Sequence, residues 1–287
     1  MKTIGIIANC SKPRAPLVLA RIRSLARRLG LNLIADTATA RLMKGEVRSL
    51  PISRLALKSD AILALGGDGT VLRVVRLLAG RRVPVMGVNM GGLGFLTSVA
   101  EADLEAAMAG LVSDTCETTT RSLVQCVISG NRRRPSCFHA MNDVVVASSL
   151  NSRIITLEVE IERERVASYS CDGIIVATPT GSTGHSLSAG GPIVMPDASV
   201  LVISLICPHT LSYRPLVVPD RLAVGIRVAE KYSAVHLSVD GQVGCPLKEG
   251  DFVAVSKSEH AATLLLLPGS SYFSLLRHKL RWTGSNR

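Results

Sequence analysis

A chain of 287 residues, 47% hydrophobic and 19% charged, is long enough for one large or two ordinary domains with a substantial core, which excludes a disordered polymer. The longest uncharged apolar stretch, Ser199 to Cys207, is too short to span a bilayer, and Met1-Lys-Thr-Ile-Gly-Ile-Ile enters a strand without the apolar segment and cleavage site of a signal peptide. Thirty-three Lys and Arg against 22 Asp and Glu leave a charge of +11, but aromatics at 3% give few stacking platforms for single strands, so the charge suits polyanionic nucleotides better than nucleic acid.

Thr3–Ala8 is an apolar run suited to a buried parallel strand. Leu17, Ile22, Leu25 and Leu29 form a helical stripe with Arg21, Arg23, Arg27 and Arg28 around it, and Gly30 ends it. Strands are expected at Leu31–Ala35, Ala61–Leu65 and Val83–Val88, and helices at Thr70–Ala79 and Glu101–Leu111. Strands alternating with helices predict an α/β domain over residues 1–115 with a doubly wound parallel sheet. Ligands of such a sheet lie beyond the carboxyl ends of its strands. Gly66-Gly-Asp-Gly-Thr70 and the loop Asn89-Met-Gly-Gly-Leu-Gly-Phe95 both fall there, facing one crevice.

The run Ala61–Leu65 leads straight into three glycines, one carboxylate and a helix-starting threonine. Gly66, Gly67 and Gly69 permit positive φ and close approach of a ligand, so bare N–H groups and Thr70 can meet a phosphate. A carboxylate there would repel phosphate unless it serves a metal ion, a hydroxyl or a departing proton. Phosphoryl transfer to an alcohol, with Asp68 as general base, satisfies that condition. A tight turn with an acidic surface residue is the plainer account of the same five residues.

From about residue 116 the rhythm changes. Ile155, Leu157, Val159 and Ile161 alternate with Thr156, Glu158, Glu160 and Glu162, and Leu222–Val228 and Val235–Val239 repeat the period of two. Many strands and no long helix predict an all-β, β-sandwich-like domain over residues 116–268, with Asp240-Gly241 as a tight turn. Asn142-Asp143 introduces strand Val144–Ala147, and Asp172 precedes strand Ile174–Ala177. Residues 178–191 are dominated by Gly, Ser and Thr, whose amides and hydroxyls can bond ribose, base or phosphate oxygens, although all of these residues also favour turns. Residues 269–287 are expected to hold a helix, with Tyr272, Leu275 and Leu276 on a stripe shared with Lys279, docking on the first domain. Seven scattered cysteines (10, 116, 126, 137, 171, 207 and 245) without a C-x-x-C pair read as reduced thiols in a cytoplasmic chain, and no metal site is legible.

Gly66-Gly-Asp-Gly-Thr70, Asn142-Asp143, Asp172-Gly173, Thr178-Pro-Thr-Gly-Ser-Thr183, Ser186-Leu-Ser-Ala-Gly-Gly-Pro192, Pro208-His-Thr-Leu-Ser212 with Arg214-Pro-Leu216, and Asp240-Gly-Gln242 together resemble bacterial NAD kinases, in that order along the chain. The resemblance implies ATP-dependent phosphorylation of the 2′-hydroxyl of the adenosine ribose of NAD, with Mg²⁺ or another divalent cation carried by ATP, in a homodimer or homotetramer without nucleic-acid or membrane partners. It implies Asp68 as proton acceptor. Gly69, Phe95, Asn142, Asp143, Arg153, Asp172, Thr183, Gly184, His185, Ser186, Leu187, Ser188 and Gln242 would join it in binding NAD, while Gly66, Gly67, Gly69, Thr70 and Arg73 would meet the phosphates of ATP. The expected ternary complex occupies the crevice between the two domains. The chain departs from the family pattern at Asp143, where Glu is common, at Gly184-His185, where Ala-Tyr is common, and at Ser170, where Arg is frequent. A lipid or sphingoid-base kinase carries a similar glycine turn, and a non-catalytic dinucleotide-binding regulator is the alternative that the charge motivates.

Overall fold

A computed structural model of the chain describes residues 1–78, 80–92, 94–130, 136–148, 154–229 and 235–282. Two compact units emerge: Met1–Thr120 with Ala262–Arg287, and Arg121–Ala261. The basic run Arg132 to Arg134 and Arg153 lie outside the described residues.

The first unit is built on β1 (Thr3–Ala8), β2 (Asn32–Ala35), β3 (Arg48–Ser49), β4 (Ala61–Gly66) and β5 (Val85–Asn89). They form a parallel sheet in the order β3-β2-β1-β4-β5, with Ile6 opposite Leu63 and Leu63 opposite Met86. All six residues of β4 are buried, as expected of a parallel strand covered on both faces. The helices are α1 (Ala15–Arg28), α2 (Thr37–Leu42), α3 (Ile52–Lys58), α4 (Asp68–Leu78) and α5 (Leu104–Ser113), the last preceded by a 3₁₀ turn over Glu101–Asp103. Sheet and helices share a core that includes Ile4, Leu19, Ile22, Leu63, Met86, Leu104 and Met108. The strand order reverses between β1 and β4, so the ends of those two strands flank the switch point where such sheets bind ligands.

Several expected elements shift. Leu17 is 64% exposed, and α1 turns Val18, Leu19, Ile22, Leu25 and Ala26 inward instead. The helix expected from Thr70 begins two residues earlier, at Asp68, and the strand expected from Val83 begins at Val85. Helices α2 and α3 and strand β3 lacked a period long enough to read.

The second unit begins within β6 (Glu117–Ser129), which pairs with β7 (Ser136–Ala140). One antiparallel sheet follows the order β13 (Leu216–Pro219), β12 (Val200–Ile206), β11 (Gly173–Ala177), β8 (Asp143–Ser148), β15 (Val235–Val239) and β16 (Val243–Leu247). The other strands run β10 (Glu164–Cys171), β9 (Ile155–Ile161), β14 (Val224–Val228) and β17 (Phe252–Leu266), antiparallel at each pairing. Val144, Val146, Val176 and Leu237 from the first set meet Leu157, Val159, Ile226 and Val253 from the second in one core, the packing of a β-sandwich. The only α-helix among the described residues of this unit is the four-residue α6 (His185–Ser188), which follows a 3₁₀ turn over Thr180–Thr183.

Strand β17 leaves the second unit at Ala261, and its Leu264 lies parallel to Val85 in the first. The last element among the described residues is α7 (Tyr272–Leu280), which buries Leu276 and leaves Tyr272 and Leu275 half-buried, with Lys279 exposed. All seven cysteines are free.

Candidate active site

In the first unit Asp68 occupies the first position of α4, where a carboxylate is favoured by the helix dipole. Its carboxylate does not hang free in the turn. Oδ2 accepts from the amide of Phe95 at 2.7 Å, and Oδ1 accepts from the amides of Leu96 and Thr97 at 3.0 and 3.2 Å and from the Thr97 hydroxyl at 3.3 Å. Thr97, fully buried, therefore holds the acid from both its backbone and its side chain. The glycine turn and the loop after β5 are thus joined through one carboxylate. An ionised carboxyl group offers about four acceptor positions, so Oδ2, with one amide bond, retains a lone pair for a further donor.

The glycines act by size here. None of Gly66, Gly67 and Gly69 has positive φ, contrary to the expectation for this turn. A Cβ at Gly66 would overlap the Thr70 side chain, and one at Gly94 would overlap Asp68 Oδ1. Gly67 has open space where a Cβ would stand, which leaves its backbone approachable at the start of α4. Arg73 is exposed on that helix, and its charge reaches the Cys10 thiol beyond β1. Burial and Asp36 push that thiol up, with Thr39 and Arg73 acting in the opposite direction.

In the second unit Asp240 organises a polar cluster of its own. Together with Gly241 it takes positive φ at the β15–β16 turn, and its carboxylate accepts the amides of Met141, Asn142 and Asp143 at 3.0, 2.7 and 3.1 Å. The Gly/Ser/Thr loop closes on the same segment. The Thr178 amide donates to the Asn142 carbonyl at 2.8 Å, and a Cβ at Gly181 would overlap that carbonyl. Gly184 passes close enough that a Cβ there would lie 3.8 Å from Asp143 Oδ2.

These residues surround a cavity of about 580 Å³ whose wall includes Asn142, Asp143, His185 and Asp240. Burial, reinforced by Asp240, pushes the Asp143 carboxyl up to about 7. Asn142 Oδ1 is buried without a hydrogen-bond partner, which leaves an acceptor available to a ligand. Asp172 immediately precedes β11 and receives the Cys207 thiol, which this carboxylate holds above its usual range. Among Thr183 to Ser188 the side chains diverge: His185 and Ser188 are exposed, whereas Ser186 is fully buried with its hydroxyl 3.1 Å from that of Ser204. Gln242 is half-buried at the foot of β16.

Two supports escaped the sequence reading. Thr97 carries no motif, and Asp240, read as a turn residue and as part of the Asp240-Gly-Gln242 motif, carried no expectation of gathering the amides of residues 141–143. No cluster of three or more His, Cys, Asp or Glu side chains able to hold a metal ion occurs among the described residues.

Comparison with known proteins gives this architecture a relationship. A family described as the ATP-NAD kinase N-terminal domain matches residues 4–116, and one described as the ATP-NAD kinase C-terminal domain matches residues 141–267. The NAD kinase of Koribacter versatilis is 36% identical over 283 residues, covering 98% of this chain and 99% of its own. That of Trichlorobacter lovleyi is 38% identical over 284 residues, with the same coverage. Among solved structures, yeast NADH kinase complexed with NADH covers 100% of this chain and 89% of its own, with a TM-score of 0.91 at 24% identity. An NAD kinase from Archaeoglobus fulgidus in complex with ATP covers 99% and 100%, with a TM-score of 0.78 at 25% identity. With both domain families matched in order and relatives similar over nearly their whole length, the chain belongs to the NAD kinase family.

Proposed function

We propose the following division of labour for the NAD kinase reaction, in which the γ-phosphoryl group of ATP passes to the 2′-hydroxyl of the adenosine ribose of NAD. Asp68 accepts the hydroxyl proton through Oδ2 as the ribose oxygen bonds to the γ-phosphorus and the bond from that phosphorus to the ADP oxygen breaks. The observation that carries this role is the carboxylate itself: four donors from residues 95–97 fix its position, and one oxygen keeps an acceptor position open. Gly66, Gly67, Gly69 and Thr70 offer the start of α4 to the phosphates of ATP, and Arg73 supplies a cation to them.

Asn142 and Asp143 meet the adenosine of NAD, the first through its unpartnered Oδ1. Asp172, Phe95, Gln242 and the segment Thr183 to Ser188 complete the dinucleotide contacts, with Ser186 contributing through the packing of its loop. Arg153 is assigned to the same substrate on the family resemblance alone. A divalent cation, Mg²⁺, arrives with ATP as part of that substrate, bridging its phosphate oxygens. The solved relatives bound to ATP and to NADH support both substrate classes here. The resemblance supports a homodimer or homotetramer and a cytoplasmic location; the free thiols accord with a reducing compartment. No helix among the described residues is long and apolar enough to cross a membrane.

Asp68→Asn keeps the shape and removes the basic oxygen. Its kcat for NADP formation is expected to fall on the order of 10²-fold or more, with NAD affinity nearly unchanged. Turnover near the parent value would remove Asp68 from the proton-transfer step.

A further inference from the structure

The antiparallel sheet of the second unit has one face on the sandwich core and one face outside it. On the outer face Val145, Ile175, Ala177 and Val202 form a second apolar cluster. Ala189, near the end of the Gly/Ser/Thr loop, and Val194, just beyond it, pack against that cluster. Next to β8 in the same sheet lies β15. There the strand alternates, with Val235, Leu237 and Val239 buried in the core and His236 and Ser238 turned to the outer face. His236 and Ser238 line the same 580 Å³ cavity as Asn142, Asp143 and His185.

The seat of His236 is built from small residues. Ala147 stands opposite it on β8, and a Cβ on Gly244 of β16 would lie 2.9 Å from its Cε1 atom. The imidazole thus rests over a glycine, with room above it for a ligand. Among the described side chains lining the cavity, His185 and His236 are the ones that can carry positive charge. The two lining acids are suited to other partners: Asp240 is engaged by three backbone amides, and Asp143 suits ribose hydroxyls. A dinucleotide laid along this wall still needs donors for its diphosphate. In register, Ala147 and its partner His236 stand four residues along β8 from Asp143. That is roughly 13 Å of strand, before side chains reach back across the cavity. The span accommodates a ribose followed by its 5′-phosphates.

We infer that His236 is a substrate-binding residue of this enzyme, donating an imidazole N–H to the diphosphate of NAD from the outer face of β15. The assignment rests on the placement of the adenosine at Asn142 and Asp143 given above, and it adds a recognition element that neither the sequence motifs nor the comparisons assign. A cavity of this volume lies within the range of small-molecule sites, and its remaining lining, Val145, Ala147, Ser148 and Ser238, is small enough to admit the chain of phosphates.

The test is calorimetric titration of the full chain with NAD, ADP-ribose and adenosine, alongside steady-state kinetics. His236→Ala is expected to weaken NAD and ADP-ribose about 10- to 100-fold, the loss of one hydrogen bond to a charged group, and to leave adenosine binding unchanged. KM for NAD should rise by a similar factor with kcat nearly constant. His236→Gln, which retains a donor, should recover most of the affinity, whereas His236→Phe should not. Thermal melting of each variant establishes that the fold is intact; His236 is exposed, so none of these changes opens a cavity. Unchanged NAD affinity in His236→Ala, equal losses for adenosine and NAD, or rescue by Phe in place of Gln would each overturn the assignment. A change in subunit assembly with NAD affinity intact would overturn it too, by making the exposed face a contact between copies. Failure of the parent protein to bind NAD or form NADP would defeat the functional reading as well as this inference, whereas normal parent activity with an indifferent His236→Ala defeats the inference alone.

Discussion

The Asp143 carboxyl is 5% exposed and faces a second acid, Asp240, across the turn that it caps. Burial first and that neighbour second raise its folded pKa to about 7, far above the value near 4 of an unfolded chain. Between those two values the folded protein holds a proton that the unfolded chain has released. Stability from this group is therefore fully present below about pH 4 and is lost as pH rises to about 7. Asp143→Asn removes the titration while keeping the shape. Urea unfolding across pH 5 to pH 8 is expected to show a smaller decline in stability for the variant than for the parent, the difference amounting to about 1 kcal/mol or more. Identical pH slopes would mean that the carboxyl is already ionised in the fold at pH 5. The same substitution is expected to raise KM for NAD about tenfold at pH 8, where the ionised acid accepts from ribose hydroxyls.

At the scale of elements, the loop after β5 acts as a clamp on the start of α4. A Cβ at Gly94 would overlap Asp68 Oδ1 and lie 2.6 Å from the Thr97 hydroxyl, so the carboxylate and its donors close over a space that admits only glycine. Gly94→Ala is expected to displace the acid by a fraction of an ångström or more and to lower kcat on the order of 10²-fold, with NAD affinity within about threefold of the parent. Steady-state kinetics with a parallel NAD titration would measure both; an unimpaired kcat would show that the loop yields without moving the acid. The sequence carries part of this arrangement. Uninterrupted apolar runs mark β1 and β4 because parallel strands bury both faces, and strict alternation marks β9 and β15 because each has one face outside the core. The short α2 and α3 carry too few turns to set a period, although Asp36 does cap α2 by accepting the Thr39 amide at 3.2 Å. The α1 stripe of Leu17, Ile22, Leu25 and Leu29 includes the exposed Leu17, whereas Val18, Leu19 and Ala26 complete the face that packs. What no local pattern encodes is long-range bonding: Asp68 meets residues 27 to 29 positions away, and Asp240 meets amides 97 to 99 positions away. Those contacts follow from strand order, and strand order is a property of the whole sheet.

For the whole molecule the +11 charge is the quantity to place. Much of the arginine on α1 is answered locally. Arg14 pairs with Glu101 at 2.9 Å, Arg23 and Arg27 approach Glu46, Arg28 pairs with Glu105, and Arg21 donates to the carbonyl of Glu101 at 2.8 Å. Exposed pairs of this kind contribute little to stability, roughly 0 to 1 kcal/mol each, but they cancel the field that a nucleic-acid backbone would need from a continuous basic face. The excess charge then acts at longer range, by drawing polyanionic substrates toward the protein. Such steering is screened by salt, because the Debye length shrinks from about 30 Å at about 0.01 M to about 3 Å at about 1 M. The kcat/KM for ATP is accordingly expected to fall severalfold over that range, while kcat at saturating substrate holds nearly constant. Duplex DNA titrated under the same conditions is expected to bind only at the lowest salt and to leave NADP formation unaffected. A salt-independent kcat/KM, or DNA that stays bound at physiological ionic strength and competes with ATP, would assign the basic surface to a polymer and not to nucleotides.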